Sequence, residues 1–291
     1  MTNPLSNFSR AVIPGLETYM NAQIKASHDA HLAEAMAYSL DAGGKRLRPL
    51  LLLATVDALG GDVRVAYPAA AALEFIHTYS LIHDDLPAMD NSDLRRGKPS
   101  NHVRFDEATA ILAGDALLTD AFVCLSDYAG PATQLQELLR ILATAAGSRG
   151  MVAGQQMDLD GSNQHLSTEQ LQHLNAHKTG ALIHGAVAMG AVIGNAPTRT
   201  SEHLQDFATA FGLGFQLKDD IDDATETTAQ LGKPADQDEH NGKNTYVELL
   251  GLDGARAQLV KYAKQADAAL GRVRGDTAVL MSIADYLKRE K

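Results

Sequence analysis

Apolar residues recur along this chain at i, i+3, i+4 and i+7, the period of a helix with one face in a core, in long Ala- and Leu-rich stretches. The pattern predicts helices over 5–25, 30–41, 48–58, 66–90, 106–128, 133–156, 168–194, 200–223, 245–270 and 276–289. Strand-type alternation is almost absent. Short breaks stand at Gly43-Gly44, Gly60-Gly61, Gly97-Lys98-Pro99, Gly130-Pro131, Asn195-Ala196-Pro197 and Gly232-Lys233-Pro234, none long or polar enough for a domain linker. Residues 1–291 therefore read as one all-α domain, a single bundle of about ten or more helices.

The same period places two groups of acids. Leu204, Ala208, Phe211 and Phe215 step along one core-facing stripe, and Asp219 is its next member. Asp223 follows on the same face, Asp220 flanks it, and Asp222 is expected to point away into solvent. Leu73, His77, Ser80 and Asp84 repeat these steps upstream, where Asp84-Asp85 precedes Asp90. Two inward stripes ending in carboxylates imply a central cavity with acids at its mouth. In an undistorted helix Asp84 and Asp90 lie about 120° apart. Pro87 removes an N–H and crowds the preceding turn, so the helix should distort where the two acids must converge.

Charge turns this geometry into chemistry. A lone Asp pair is normally a solvated helix end, but both clusters here sit at helix C-termini, where the macrodipole disfavours anions. Desolvating so many carboxylates would be costly unless cations lay among them. Oxygen-only clusters select hard cations, and Mg2+ takes one or two carboxylates and completes its shell with water and substrate phosphates. The formal charge of -11 argues against nucleic-acid binding. A single cysteine, Cys124, excludes an internal disulfide and fits a reducing compartment. No signal pattern and no run of about 18 apolar residues stands out, so a cytoplasmic protein without membrane insertion is expected. Two basic runs complete the picture: Gly43-Gly44-Lys45-Arg46-Leu47-Arg48-Pro49 and Leu94-Arg95-Arg96-Gly97-Lys98. Guanidinium forks and ammonium groups suit diphosphate, so one anion could be held through metal and a second directly.

Asp84-Asp85-x4-Asp90 followed by Asp93-Leu94-Arg95-Arg96-Gly97, with Asp219-Asp220-x2-Asp223, the Gly43–Pro49 run, His177-Lys178-Thr179-Gly180 and Phe215-Gln216, resembles the trans-isoprenyl diphosphate synthases over nearly the whole chain. The stretch from Tyr79 to Gly97 is most similar to bacterial farnesyl diphosphate synthases. The resemblance implies the isoprenoid synthase fold, a homodimer, and head-to-tail condensation of isopentenyl diphosphate with an allylic diphosphate. It implies that Asp84, Asp85, Asp90, Asp219 and Asp223 bind three Mg2+ ions, with Mn2+ as a substitute. Arg95, Lys178, Thr179, Gln216, Lys233 and Lys243 would contact the allylic substrate or its leaving group, with Lys178 and Lys233 assisting departure. Gly44, Lys45, Arg48, His77 and Arg96 would serve the isopentenyl diphosphate site. Gln155 and Asp158 would lie near the cavity, Asp158 as a support.

Tyr79 stands five positions before Asp84, where the family resemblance implies an aromatic floor that limits product length. Spacing alone puts it about 7 to 8 Å below Asp84 and some 140° around the helix. Two alternatives remain at this level. A class I terpene cyclase shares the acids but has no need of the second basic site, and a non-catalytic synthase subunit would be expected to have lost the acids.

Overall fold

The computed structural model describes residues 3–162, 164–225 and 244–289. In chain order the helices are α1 (Pro4–Lys25), α2 (Ala30–Leu40), α3 (Leu47–Ala58), α4 (Tyr67–Asp84), the single turn α5 (Asn101–Arg104), α6 (Glu107–Ser126), α7 (Ala132–Ala146) and α8 (Met151–Gly161). After them come α9 (Thr168–Asn175), α10 (Ala181–Ile193), α11 (Thr198–Thr225), α12 (Tyr246–Leu270) and α13 (Ala278–Ala284). Local chemistry explains their starts. Asp29 and Asp106 accept from backbone N–H groups at the N-termini of α2 and α6. Ser167 with Gln170 and Thr245 with Glu248 form reciprocal capping boxes on α9 and α12.

Helix α4 is buried nearly all round, from Ala69, Ala70, Ala71 and Ala72 to Leu73, Phe75 and Ile76. Such a helix belongs at the centre of a bundle, and α1, α3, α6 and α10 surround it. Its run of alanines lets those neighbours approach closely. On the other side α11 packs between α10 and α12, with Leu204, Phe207 and Phe211 fully buried. Burying each such Leu or Phe contributes about 1.5–3 kcal/mol before entropy is counted. Helix α4 ends in Asp84, and α11 runs past Asp223.

Four departures from the periodicity matter. The stretch 66–90 stops being helical at Asp84, and the chain folds back so that the Asp90 N–H donates to the Asp84 carbonyl at 2.9 Å. The stretch 133–156 breaks between Ala146 and Met151, at a turn containing Gly147 and Gly150. Within 168–194 a π-helical turn spans Ala176–Gly180. Finally Leu94–Arg95 and Lys98–Pro99 pair as a minimal antiparallel hairpin, in a stretch with no strand signal. Helix α6 has a mean hydropathy of 1.6 over 18 residues, yet it carries Asp115 and Asp120 and packs Ala110, Ala113 and Leu117 into the core. Its other face leaves Ile111, Leu112 and Val123 exposed.

Candidate active site

The turn after α4 gathers the first acid cluster. Pro87 denies the helix an N–H, the Leu86 N–H turns back to the His83 carbonyl at 3.2 Å, and Asn91 adopts φ +48°. Asp84 and Asp90 are thereby linked through their backbones and both remain half-buried. Asp85 is different. It is only 2 % exposed, and the Arg95 guanidinium forks onto both its oxygens, with Nε 3.1 Å from each. Burial raises the Asp85 pKa and the Arg95 fork opposes the rise. Burial equally works against the Arg95 charge, but Asp85, then Asp84 and Asp90, outweigh it and raise its pKa. Asp85, expected among the metal ligands, thus holds Arg95 against the acid cluster.

The second cluster behaves as its stripe requires at one face and not at the other. Asp219 and Asp223 are half-buried at the end of the inward stripe. Asp220 is buried and accepts from Gln216 Nε2 at 2.9 Å and from the Tyr246 N–H at 2.8 Å, which fastens the start of α12 to α11. Asp222, expected in solvent, is 9 % exposed and paired with the buried Lys218. The reason is tertiary: Gly214, Lys218 and Asp222 step by four along one face of α11, and Gly214 lies against Tyr262 and Leu287. That face is covered by α12 and the C-terminal turn.

The basic residues divide into two roles. Arg46, with φ +46°, turns inward and pairs with Glu74 at 2.8 Å while donating to the Leu40 carbonyl at 2.7 Å. Arg48 Nη1 lies 3.1 Å from His77 Nε2. Burial, then the charges of Arg48, Arg96, Arg95 and Arg46, push the His77 pKa well down, so the ring is neutral at pH 7. Since guanidinium only donates, Nε2 must accept and the ring proton sits on Nδ1. Burial likewise pulls Arg48 down to about 10, and its buried Nε has no acceptor among the described residues. Arg96 and Gly97 form the two-residue hairpin loop with φ +55° and +75°, the signature of a type I′ turn. Arginine at such a position is strained, and the strain aims its guanidinium at Gly44. A Cβ at Gly44, whose φ is +126°, would lie 2.6 Å from Arg96 Cζ, so Gly44 serves the site by leaving room. Arg48, against a neutral imidazole, and Arg96, folded over Gly44, are thus the guanidiniums left to meet an anion, while Arg46 and Arg95 are held by Glu74 and Asp85.

The π turn supplies the third group. Lys178 Nζ donates to Asp158 at 2.5 Å, and Thr179 Oγ1 donates to Gln216 Oε1 at 3.0 Å. Gln216 in turn donates to Asp220, so Thr179, Gln216 and Asp220 form one chain across α11. Gln155 Nε2, on α8 beside Asp158, is buried without an acceptor among the described residues. The extra residue of the π turn is accommodated by Gly154, where a Cβ would stand 2.1 Å from the Lys178 N. Gly154 is a site residue that helical periodicity could not reveal. Gly154→Ala is expected to displace Lys178 and lower kcat about a hundredfold, with a smaller fall in thermal stability; a kcat within threefold of the parent enzyme would contradict this role.

Tyr79 is 7 % exposed, and its ring meets His83 edge-on at 5.7 Å. His83 Nε2 donates to the Ile111 carbonyl at 3.1 Å, in space left by Gly114. Burial and then Asp84 raise the Tyr79 pKa. The residue is therefore a braced plate below Asp84. Lys233 and Lys243 lie outside the described residues. Cys124 is a free thiol, pushed up to about 12 by burial, and takes no part in the site. Among the described residues, a groove of about 740 Å³ between α7, α10 and α11 lies behind the π turn, and none of the candidate residues lines it.

Comparison with known proteins agrees with this geometry. The polyprenyl synthetase family profile matches residues 29–280. The farnesyl diphosphate synthase of Geobacillus stearothermophilus is 47% identical over 97% of this chain and 95% of its own. Geranylgeranyl pyrophosphate synthase 11 of Arabidopsis thaliana is 43% identical over 92% of this chain and 77% of its own. The structure of a Helicobacter pylori geranyltransferase complexed with magnesium and isoprenyl diphosphate superposes with a TM-score of 0.83 at 34% identity, covering 99% of this chain and 97% of that one. This chain belongs to the polyprenyl synthetase family.

Proposed function

We propose that this chain is a trans-prenyltransferase that joins isopentenyl diphosphate head-to-tail to dimethylallyl and then geranyl diphosphate, giving mainly (E,E)-farnesyl diphosphate. The observation that carries the reading is the pairing of two opposite half-sites: half-buried carboxylates of Asp84, Asp90, Asp219 and Asp223 at the ends of α4 and α11, and the guanidinium of Arg48 on His77 with that of Arg96 over Gly44. Among the described residues no three His, Cys, Asp or Glu side chains close a metal cage. That donor set suits Mg2+, which asks for few carboxylates and leaves positions to diphosphate and water. When bound, Mg2+ neutralises the allylic diphosphate as a Lewis acid and makes it a competent leaving group.

The chain's own residues do the rest. Lys178, held by Asp158, presents its remaining ammonium donors toward the departing diphosphate, beside Thr179, which Gln216 holds in place. Arg48, Arg96, Lys45 and the Nδ1–H of His77 hold the second diphosphate, so that the isopentenyl double bond faces the allylic carbon. Apolar helix walls exclude water, which would trap the allylic cation as an alcohol. The released diphosphate takes the proton lost from the adduct. We further assign Asp84, Asp85, Asp90, Asp219 and Asp223 to three Mg2+ ions, with Mn2+ able to replace them, and place the enzyme in the cytoplasm as one domain over 1–291. The exposed apolar side of α6, with Leu112 58% and Val123 50% exposed, supports a homodimer.

Incubation with isopentenyl and dimethylallyl diphosphates and Mg2+, followed by chromatography of the dephosphorylated products, tests the reaction and its product together. Farnesol is expected from the parent enzyme. Mainly geranylgeraniol would favour the runner-up, a geranylgeranyl diphosphate synthase, and hydrocarbon release from farnesyl diphosphate alone would favour a cyclase. In the same assay Tyr79→Ala should shift most of the product to longer chains by removing the plate that packs on His83; an unchanged distribution from an active variant would remove Tyr79 from that role.

A further inference from the structure

Tyr286, in the short 3-10 turn Asp285–Lys288 that follows α13, enters the site from the far end of the chain. Its ring stacks on Phe215 at 5.4 Å between centroids, one helical turn before Asp219. Its hydroxyl lies 3.2 Å from Asp219 Oδ1 and 3.4 Å from Lys45 Nζ. The ammonium of Lys45 also stands 4.5 Å from the ring centroid, and that of Lys218 5.8 Å away. Ammonium can only donate and carboxylate can only accept, so the direction of this relay is fixed: Lys45 donates to the Tyr286 oxygen, and the Tyr286 O–H donates to Asp219. One phenol therefore touches both half-sites, the basic loop before α3 and the acid cluster on α11. Its partner residues are 241 and 67 positions away in sequence.

We propose that Tyr286 is a positioning residue that ties the isopentenyl diphosphate site to the metal-binding face, setting Lys45 for one diphosphate and Asp219 for the other; this rests on the function proposed above. The Phe215 stack fixes the ring, and the ring fixes the hydroxyl. Lys45, an exposed side chain in the loop before α3, gains a defined position among the described residues through this contact and the face of the ring. Two consequences follow. The C-terminal turn completes the site, and loss of the hydroxyl alone weakens the hold on the second diphosphate even before metal is present.

Tyr286→Phe keeps the stack and removes only the relay. Calorimetric titration of the metal-free protein with isopentenyl diphosphate should show a Kd raised about tenfold in Tyr286→Phe, in Lys45→Met and in the double variant alike, because the two residues act through one contact. In steady-state assays the KM for isopentenyl diphosphate should rise more than kcat falls. A Kd for Tyr286→Phe within twofold of the parent, or losses that multiply in the double variant, would overturn the proposal. A purely structural Tyr286 would instead lower the melting midpoint and kcat and leave the Kd where it was. Should the parent enzyme condense the two diphosphates while Tyr286→Phe binds normally, the positioning role fails and the proposed reaction stands; a parent that neither binds isopentenyl diphosphate nor forms product would refute the reaction itself.

Discussion

Asp84→Asn is expected to lower kcat/KM for condensation by roughly a thousandfold, while leaving the melting temperature unchanged or slightly raised. The two signs separate function from folding. Asp84 ends α4, where the helix macrodipole opposes a negative side chain, so the amide removes a small electrostatic penalty of about 0.3–1 kcal/mol. The same carboxylate sits half-buried at the end of the Leu73, His77 and Ser80 stripe, where a neutral amide cannot balance the charge of a cation bound to diphosphate. Radiolabelled isopentenyl diphosphate incorporation with saturating Mg2+ measures the first effect and differential scanning calorimetry the second. A loss of less than tenfold in kcat/KM, or a melting temperature that falls by several degrees, would mean that Asp84 is not placed as argued.

Arg46→Met should produce the opposite profile, a loss of about 3–5 kcal/mol in stability. The side chains of Arg46 and Glu74 are 5% and 3% exposed, so removing the guanidinium strands a buried carboxylate. For a chain of this length the melting midpoint should fall by roughly 10 °C. The paired substitution Arg46→Met with Glu74→Leu should recover most of the loss, because the stranded charge goes with its partner. A single variant that melts with the parent protein, or a double variant no more stable than the single one, would argue that the pair is not the buried bond seen here.

Much of the site could be read along the chain, and the reason is local geometry. The stripe from Leu204 to Asp219 and that from Leu73 to Asp84 lie within one helix each, so spacing suffices to aim their ends. Pro87 announces its own distortion, since a missing N–H acts on the turn that contains it. What spacing could not show is which neighbour lies on the other faces. Asp222 looked solvated because nothing within α11 reveals that α12 and the C-terminal turn cover Gly214, Lys218 and Asp222. Lys45, Arg46 and Arg48 looked alike as three cations in a loop, yet Glu74 claims one, His77 meets another and Tyr286 orients the third.

The amino-acid sequence by itself determined the helical class, the two inward acid stripes, the basic runs and the family motif, because each depends on residues a few positions apart. Only the tertiary structure decided that Asp85 belongs to Arg95, that Asp220 fastens α12, that Gly154 admits the π turn and that Tyr286 closes the space between Lys45 and Asp219. These contacts depend on burial and on which distant surface arrives opposite. Hydrogen-bond partners are chosen by that arrival, and local periodicity carries no record of it.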